Sequence, residues 1–305
     1  MSRTIVECVP NFSEGRDSAV LDAIVAAIRS VPGAVVLDRT MDPDHNRSVV
    51  TFAAPAEVVG EAAVRAVEQA VRLIDLNGHA GVHPRIGAAD VVPFVPVEGV
   101  TLADCVAIAE CAAAEVWRRA RVPVYLYEAA ARRPDRVRLE NIRRGQFEGL
   151  REEVRTNPER LPDFGAPELH STAGATVIGA RKFLIAYNIN LNTADVSVAK
   201  RIARAIRTSS GGLPCVKAMG VLLASRNLAQ VSMNLTDFEQ TPMHSVFQAV
   251  RAEAERYGVA IAGSEIIGLV PNQALAMAAQ YFLQIENFSP GLTVENRLAQ
   301  ELLKP

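Results

Sequence analysis

One histidine lies in a loop stiffened by proline and glycine, and its proton affinity suits it to acid/base chemistry. His83 stands between Gly81 and Gly87, and Pro84 follows it directly. Proline fixes its own φ and biases the preceding residue toward an extended backbone, while glycine allows a turn or a close approach to a ligand. A histidine titrates near neutrality and can accept a proton from an amine or return one to a leaving nitrogen. The alternative is a structural histidine bonded to a loop carbonyl.

The same loop does not favour a metal site. His79 and His83 are four residues apart, the spacing that shares a helix face and binds zinc, but Gly81 and Pro84 oppose a helix there. The four cysteines are scattered without a Cys-x-x-Cys pair, which indicates neither zinc nor a secreted disulfide framework. We therefore expect no metal.

Composition narrows the class of protein further. The chain has 305 residues, of which 49% are hydrophobic and 22% charged, as in a globular protein with a substantial core. A formal net charge of −2 provides no broad field for nucleic acid or for an anionic membrane. The first residues lack the apolar core of a signal peptide, and no apolar run is long enough to span a bilayer. A cytoplasmic protein without nucleic-acid or membrane partners is expected.

The elements that must position these residues repeat in two halves. The first half predicts strands over about residues 4–9, 35–37, 46–53, 91–95 and 122–127, with helices over about 17–31, 55–73 and 102–120. The second predicts strands over about residues 183–191, 216–223, 228–234 and 259–262, with helices from 195 and over about 242–257. Each half is thus approximately β-α-β-β-α-β, the split βαβ arrangement.

This pattern predicts an α/β (α+β) fold with two similar subdomains. Each would be a mixed β-sheet with helices on its outer face, and the ligand cleft would lie between the two sheets. Prolines and glycines punctuate residues 158–174, where no hydrophobic period is clear, so we place the subdomains at residues 1–173 and 174–305.

Eight ordered segments together resemble one family. They are VPNFSEG (9–15), DHNRSV (44–49), GVHPRIGAADVVPF (81–94), PVYLY (123–127), DFG (163–165), GARKFLIAYNINL (179–191), NLAQVS (227–232) and GSEIIGLVP (263–271). In this order and spacing the chain resembles the glutamate formimidoyltransferases (glutamate formiminotransferases), folate-dependent enzymes of histidine breakdown, from about residue 3 to about residue 300. No single segment is diagnostic, but the ordered set is specific.

The resemblance implies a one-carbon transferase reaction. A formimidoyl group would pass between N-formimidoyl-L-glutamate and tetrahydrofolate, giving 5-formimidoyltetrahydrofolate and L-glutamate, with tetrahydrofolate as co-substrate. His83 matches the family's catalytic histidine and would act as general acid and base. The family also implies a homodimer, and the length of the chain suggests the form without a cyclodeaminase domain.

Several further residues are candidates for the substrates that the resemblance implies. Asp90 or Asp38 could orient the imidazole or carry part of the amidine's positive charge, although Thr40 stands where related sequences often have another acid. Guanidinium groups hold carboxylates in a two-pronged geometry, and polar amides can bind the same groups. These candidates are Asn11, Asn46, Arg47, Arg85, Arg181, Asn188 and Asn190. A solvated surface position is the alternative for Arg47 and Arg85, and a gatekeeper role at a strand end is the alternative for Arg181. Asn188 and Asn190 lie on one face of a predicted strand, and the alternative to a ligand contact is that both amides are solvated there.

One segment matches the family's folate-binding stretch by position. It comprises Gly165, Ala166, Pro167, Glu168, Leu169, His170, Ser171, Thr172, Ala173 and Gly174. A plain linker is the alternative, and Ala173 stands where the family often has an aromatic ring.

Three other functions remain open at this stage. The same scaffold could transfer a formyl group from N-formylglutamate, or it could bind folate without turnover. A hydrolase acting on N-formimidoylglutamate is a further option, but such chemistry usually employs a metal-bound water, for which the sequence offers no convincing ligands.

Overall fold

The computed structural model describes residues 3–81 and 83–302, which form two compact units. Unit 1 ends at Lys182 and unit 2 begins at Phe183. The sequence placed this division after residue 173. It falls later because Thr176–Ala180 forms a strand that pairs in parallel with two strands of unit 1. That strand was not predicted, since its residues follow a stretch of loop punctuation directly.

Unit 1 contains seven strands and five α-helices among its described residues. The strands are β1 (Ile5–Cys8), β2 (Asn11–Phe12), β3 (Val35–Asp42), β4 (Arg47–Pro55), β5 (Ala89–Glu98), β6 (Val124–Glu128) and β7 (Thr176–Ala180). The helices are α1 (Ser18–Arg29), α2 (Ala56–Leu73), α3 (Leu102–Ala120), α4 (Leu139–Ile142) and α5 (Gln146–Thr156). The predicted short extended run at 35–37 is therefore the beginning of an eight-residue strand.

The sheet of unit 1 has a β-α-β-β-α-β part and an extension. In the first part the order is β5, then β1 and β2 in one position, then β4 and β3, and all of these pairings are antiparallel. The extension adds β7 and β6 on the other side of β5, with parallel pairings. The sheet is therefore mixed, as predicted.

Apolar residues pack on both faces of this sheet. Alternate residues of β1, β4 and β5, including Val6, Phe52 and Phe94, form the main core with α1, α2 and α3. A second cluster covers the opposite face of the extension and includes Val177 and Leu150 of α5. Helices thus cover one face of the β-α-β-β-α-β part of the sheet, as predicted, but both faces of the extension.

Unit 2 follows the predicted element order closely. Its strands are β8 (Ile185–Leu191), β9 (Val216–Leu223), β10 (Leu228–Leu235) and β11 (Ile261–Ile267), and its helices are α6 (Val196–Ile206), α7 (Met243–Arg256), α8 (Asn272–Leu283) and α9 (Val294–Leu302). The sheet order is β11-β8-β10-β9, and every pairing is antiparallel. The last strand begins two residues later and ends five residues later than predicted, and α8 and α9 were not predicted.

The hydrophobic period of α6 explains how this sheet is covered. The Asp195 side chain caps the helix by accepting a hydrogen bond from Ser197 N at 2.8 Å. Val198, Ile202 and Ile206 recur every four residues and are buried against the sheet, as predicted. Within residues 3–81 and 83–302, no helix is both long and apolar enough to cross a membrane.

Candidate active site

Two glycines shape the loop that carries His83, between α2 and β5. A Cβ at Gly81 would lie 2.4 Å from the His45 carbonyl oxygen, and a Cβ at Gly87 would lie 1.9 Å from that of Ala175. Neither space admits a side chain without movement of the backbone. The glycines therefore let the loop lie directly against two other segments, which agrees with the predicted rigid setting of His83.

The ring of His83 faces the guanidinium of Arg47, the first residue of β4. Arg47 donates through Nη1 to Nε2 of His83 and through Nη2 to Oδ1 of Asn11. Because a guanidinium carries donors only, this geometry makes Nε2 the unprotonated ring nitrogen. The structure thus brings together three of the predicted residues.

Burial and positive charges disfavour protonation of His83. Burial of the ring is the largest cause, and the guanidiniums of Arg47 and Arg143 act in the same direction, so that the pKa of His83 falls to about 3. Asp90 opposes this shift. Burial, and then the charge of Arg143, lower the pKa of Arg47 to about 10. The imidazole is therefore neutral at pH 7, and a negative charge added beside the two arginines would raise its basicity.

Asp90 acts on His83 through its charge rather than through a direct hydrogen bond. Its side chain is buried, Oδ1 accepts from Ile86 N at 2.8 Å, and Oδ2 accepts from Nη2 of Arg143. The carboxylate therefore holds the end of the histidine loop and the Arg143 guanidinium together. This arrangement differs from the predicted alternative of an acid bonded to the imidazole.

Asp38 follows the strand predicted over residues 35–37, but in the structure that strand extends to Asp42. Asp38 therefore lies in the middle of β3, opposite Thr51, and not at the end of a strand. Within the described part of the chain it forms no hydrogen bond with His83. Of the two candidate acids, only Asp90 contributes to the electrostatics of the histidine.

Arg85 already holds a carboxylate of the chain itself. Its Nη1 and Nη2 donate to the two oxygens of Glu148 at 3.0 and 2.8 Å, and its Nε donates to Nδ1 of His79 at 3.1 Å. His79 in turn contacts the Asn46 carbonyl oxygen through Nε2 at 2.9 Å. The guanidinium predicted to bind a substrate carboxylate is thus used to fix α5 and the loop around the site.

Two of the four asparagines predicted to contact substrate likewise hydrogen-bond to the backbone. Asn46 accepts a hydrogen bond from Gly15 N at 2.9 Å and donates to the Ala80 carbonyl oxygen at 3.1 Å. Asn11 donates to the Val9 carbonyl oxygen at 2.8 Å and accepts from Arg47. Both side chains position the residues around His83.

A narrow recess that is too small to admit a water molecule lies among these side chains. Its lining consists of Phe12, Ser13, His45, Asn46, Arg47, His79, His83, Arg85 and Asp90. The side chains around the imidazole are therefore closely packed in this structure.

Four residues of segment 165–174 border a larger cleft of about 760 Å³. These are Glu168, Leu169, His170 and Ser171, and the rest of the lining is Asn77, Trp117, Arg121, Arg151 and Arg155. Arg151 donates to the Ser171 carbonyl oxygen at 2.6 Å and to Oδ1 of Asn77 at 3.0 Å. Three guanidiniums and one carboxylate give this cleft a positive balance.

The ends of the same segment serve the fold. Ala173 is 1% exposed, and its side chain packs in the main core of unit 1. Gly174 has a φ of +69°, and a Cβ there would lie 2.1 Å from the Ile86 carbonyl oxygen. Gly165 has a φ of +129° and packs against Pro123.

Arg181 lies away from the histidine. It follows β7, and its backbone nitrogen donates to the Phe94 carbonyl oxygen at 3.0 Å, four residues along β5 from Asp90. Its Nη1 donates to the Lys182 carbonyl oxygen at 2.9 Å. The structure therefore does not place this guanidinium in the cluster of His83 and Arg47.

Asn188 and Asn190 lie on β8 of unit 2, and their side chains share one face as predicted. Asn190 accepts from Nε2 of Gln230 at 2.8 Å, and Asn188 Nδ2 lies 3.5 Å from Oε1 of Glu265. Both asparagines are buried. Gln230 and Glu265 were not singled out in the sequence, although each lies in one of the segments that carried the resemblance.

Arg143 is the main site residue that sequence reasoning missed. It follows the four-residue helix α4, in a polar stretch without hydrophobic periodicity, so no local signal identified it. Its Nη2 binds Asp90, while its Nε is buried without a hydrogen-bond partner among the described residues. A buried guanidinium N–H of this kind is a donor that an anionic ligand could use. Within residues 3–81 and 83–302, no group of three or more His, Cys, Asp or Glu residues could hold a metal ion.

Comparison with known proteins adds the decisive observation. Residues 5–181 match the formiminotransferase domain, N-terminal subdomain, and residues 186–300 match the formiminotransferase domain. This chain belongs to the formiminotransferase family. The two matched ranges coincide closely with units 1 and 2, and the resemblance drawn from the ordered segments is confirmed.

Similar family members cover the chain almost completely. The glutamate formimidoyltransferase of Streptococcus pyogenes serotype M1 is 46% identical over 284 residues, which are 93% of this chain and 95% of that protein. That of Thermoplasma acidophilum is 46% identical over 297 residues, or 97% of each chain. The formimidoyltransferase-cyclodeaminase of Mus musculus is 46% identical over 288 residues, 92% of this chain but 53% of the mouse protein. The protein is thus a transferase enzyme.

Proposed function

We propose that this protein transfers the formimidoyl group of N-formimidoyl-L-glutamate to N5 of tetrahydrofolate and releases L-glutamate, as a step of histidine degradation. The observation that carries the proposal is the neutral imidazole of His83, which accepts a hydrogen bond from Arg47 and lies within the electrostatic influence of Arg143, in a chain of this family. An imidazole in this state accepts protons, and the guanidiniums attract a substrate that bears carboxylates.

Arg47 and Arg143 are the groups that we assign to a substrate carboxylate. Arg143 has a buried Nε without a partner, and Arg47 directs its donors at a neutral imidazole and an amide rather than at a carboxylate. An entering carboxylate offers Arg47 a stronger, charge-assisted acceptor than Nε2 of His83. Its binding would release the lone pair of Nε2 and raise the pKa of the ring, because the added negative charge favours the imidazolium.

The acid/base steps then follow from the substrates' own chemistry. N5 of tetrahydrofolate attacks the amidine carbon of N-formimidoyl-L-glutamate, and His83 removes the N5 proton. The resulting imidazolium protonates the amino nitrogen of glutamate, whose bond to the same carbon then breaks. Holding two reactants in place and moving one proton is sufficient, because the formimidoyl group is already activated.

The other charged groups keep this arrangement in place. Asp90 fixes Arg143 and the histidine loop, while the Arg85–Glu148 pair fixes His79 behind them. We assign these residues to positioning. The Arg143–Asp90 pair is buried and therefore costly to break, which suits it to holding catalytic groups in one geometry.

For tetrahydrofolate we propose the cleft beside segment 165–174. Its three arginines, Arg121, Arg151 and Arg155, suit the carboxylates of the folate tail, and Trp117 offers an aromatic surface. Residues 168–171 are the part of segment 165–174 that lines this cleft. Ala173 is buried in the core next to them, and Gly174 allows the backbone to turn there.

We further propose a homodimer. Large apolar side chains are exposed on α8, where Tyr281, Phe282 and Leu283 have exposed fractions of 51%, 49% and 70%. Light scattering of the purified protein, read against the mass of 32.8 kDa for one chain, tests this proposal directly.

A turnover assay with tetrahydrofolate tests the function. Wild type and His83→Ala are each given N-formimidoyl-L-glutamate or N-formyl-L-glutamate. We expect wild type to transfer the formimidoyl group and His83→Ala to lose transfer. Preference for the formyl donor would establish the alternative reaction, and retention of folate without transfer of either group would establish a binding protein. Normal transfer by His83→Ala would reject the role of the histidine.

A further inference from the structure

The turn between β3 and β4 carries a second histidine, His45, which the proton transfer proposed above does not use. Its ring centroid lies 6.4 Å from that of His83, the two ring planes meet at 61°, and both rings line the same narrow recess. The side chain of His45 is 50% exposed, so this ring stands at the open edge of the recess. A group that approaches His83 from this edge must contact His45.

Backbone contacts hold this turn against the histidine loop. A Cβ at Gly81 would lie 2.4 Å from the His45 carbonyl oxygen, so the two backbones are in direct contact. Asn46 donates to the Ala80 carbonyl oxygen at 3.1 Å, and Nε2 of His79 lies 2.9 Å from the Asn46 carbonyl oxygen. The distance between the two rings is therefore set by the backbone as well as by the side chains.

A carboxylate determines which nitrogen of the His45 ring faces a ligand. Oδ2 of Asp42 lies 2.7 Å from Nδ1 of His45, and Oδ1 accepts from the backbone nitrogens of Asp44 and His45, both at 2.9 Å. Burial acts to raise the pKa of Asp42, but these hydrogen bonds outweigh it and lower the pKa. An ionised carboxylate only accepts hydrogen bonds, so the neutral ring carries its proton on Nδ1. Nε2 then has a lone pair, and among the described residues it has no hydrogen-bond partner.

We propose that Nε2 of His45 accepts a hydrogen bond from the terminal nitrogen of the formimidoyl group and thereby selects a formimidoyl donor over a formyl donor. Amidines are strong bases, so at neutral pH this group is an amidinium whose terminal nitrogen bears two N–H groups and no lone pair. A formyl group has a carbonyl oxygen in the same position, and its lone pairs would face the lone pair of Nε2. This inference rests on the proposed function, because it names the part of that substrate which determines the choice of donor.

The amidinium also needs a negative charge nearby. Arg47 and Arg143 attract the carboxylates of the substrate but disfavour a further positive charge, as their effect on the pKa of His83 shows. Asp42 lies directly behind the acceptor nitrogen's ring, and a hydrogen bond to a charged group is stronger than one between neutral groups. His45 is therefore a specificity-determining residue, and Asp42 is a positioning residue.

The first test removes the acceptor. His45→Phe keeps a ring but lacks Nε2, and it should lower kcat/KM for N-formimidoyl-L-glutamate by about 10- to 100-fold, the effect of losing a charge-assisted hydrogen bond. The inhibition constant of N-formyl-L-glutamate, which has no such N–H groups, should change by less than about threefold. His244→Phe, at a histidine that stacks on Tyr281 in unit 2, is the matched control and should leave both values unchanged. Equal losses for the two compounds in His45→Phe would overturn the assignment.

The second test reverses the polarity of the ring. Asp42→Asn retains an oxygen for the two backbone nitrogens but presents an NH₂ group to Nδ1, so the proton of the neutral ring moves to Nε2. Because Nε2 then donates, N-formyl-L-glutamate should bind about 5- to 10-fold more tightly and kcat/KM for N-formimidoyl-L-glutamate should fall by about the same factor. Asp195→Asn, where asparagine caps α6 as well as aspartate does, is the matched control. A parallel loss of affinity for both compounds would contradict the inference.

Two further measurements separate the possible failures. Nitrogen-15 NMR of the His45 ring at pH 8, above the range in which histidine ordinarily titrates, should place the proton on Nδ1 in wild type and on Nε2 in Asp42→Asn. A wild-type proton on Nε2 would overturn the inference. Thermal unfolding followed by circular dichroism identifies a variant that fails to fold, in which case His45→Leu replaces His45→Phe. An absence of transfer by wild type would refute the proposed function, whereas normal formimidoyl transfer with unchanged selectivity in the His45 variant would refute this inference alone.

Discussion

The two units share one architecture but place their polar groups differently. In both units a β-α-β-β-α-β segment forms a four-stranded sheet in which the strands, numbered along that segment, lie in the order 4-1-3-2. This order is β5, β1 with β2, β4 and β3 in unit 1, and β11, β8, β10 and β9 in unit 2. In unit 1 the clustered groups include charged residues, and they lie in loops and at strand ends, as with His83, Arg47 and Asp90. In unit 2 they are mostly amides, and they lie along the strands on one face.

The extension of unit 1 explains part of this difference. Strands β6 and β7, together with α4 and α5, bring Arg143 and Glu148 to the end of β5 and bury the charges that they pair with. Charges in such a setting shift the pKa of a histidine strongly. Unit 2 has no such extension in its described residues, and its amides are neutral at every relevant pH. We therefore expect unit 1 to govern proton transfer and unit 2 to govern recognition.

The largest expected effect is on catalysis in unit 1. His83→Ala should lower kcat by about 10²- to 10⁴-fold, because the general acid and base is lost, while KM for either substrate changes only a few-fold. Steady-state kinetics with both substrates varied measures this. His244→Ala removes an imidazole that stacks on Tyr281 in unit 2 and serves as the control. Comparable losses of kcat in both variants would contradict the division between the units.

The buried ion pair of unit 1 should matter to stability far more than a surface pair of unit 2. Arg143→Met leaves Asp90, whose side chain is 4% exposed, without its partner, and should reduce the free energy of unfolding by about 3–5 kcal/mol. Arg256→Met removes an exposed pair with Glu253 and should cost at most about 1 kcal/mol. Urea denaturation measures both values. Equal losses would show that the charge cluster of unit 1 is not held in a buried environment.

Unit 2 substitutions should act on KM rather than on kcat. Asn190→Ala removes an acceptor of Gln230 and a candidate polar contact to substrate, so KM for the substrate that it contacts should rise about 5- to 10-fold with kcat nearly unchanged. Asn234→Ala, an exposed position on the same face of β10, provides the matched comparison. A drop in kcat without a change in KM would assign Asn190 to the chemical step instead.

A pH dependence of stability is also expected to originate in unit 1. The unfolded chain binds a proton at His83 below about pH 6.5, whereas the folded protein does so only below about pH 3. This group therefore contributes its full stability above pH 6.5, and the contribution declines as the pH falls toward 3. Urea denaturation at pH 7 and pH 5 measures this. The free energy of unfolding should decrease less between the two pH values in His83→Gln than in wild type.

The position of Arg47 also makes the histidine's pKa adjustable. Titration of the His83 imidazole by NMR should give a pKa well below 6.5, and Arg47→Gln should raise it, because one of its two neighbouring guanidiniums is gone. L-Glutamate bound at the site should shift it in the same direction. If the pKa of His83 changed neither in Arg47→Gln nor on binding of L-glutamate, Arg47 would not set the proton affinity of the ring.

The sequence by itself determined the repeated β-α-β-β-α-β order, because hydrophobic periods of 2 and 3.6 residues are local properties of the chain. It also determined the stiff loop around His83, since Gly81, Pro84 and Gly87 act on their immediate neighbours. The place of Thr176–Ala180 in the first sheet could not be predicted, because pairing with β5 and β6 depends on partners more than 45 residues away.

Only the tertiary structure decided which charges meet. Arg143 binds Asp90 across 53 residues of sequence, Arg85 binds Glu148 across 63, and Gln230 reaches Glu265 across 35. Such contacts have no periodicity in the sequence, since they arise where separate elements are packed together. For the same reason Arg85, which resembles a ligand-binding arginine by its motif, proved to be engaged with a carboxylate of the protein, while Arg143 acquired its place beside His83 from the fold.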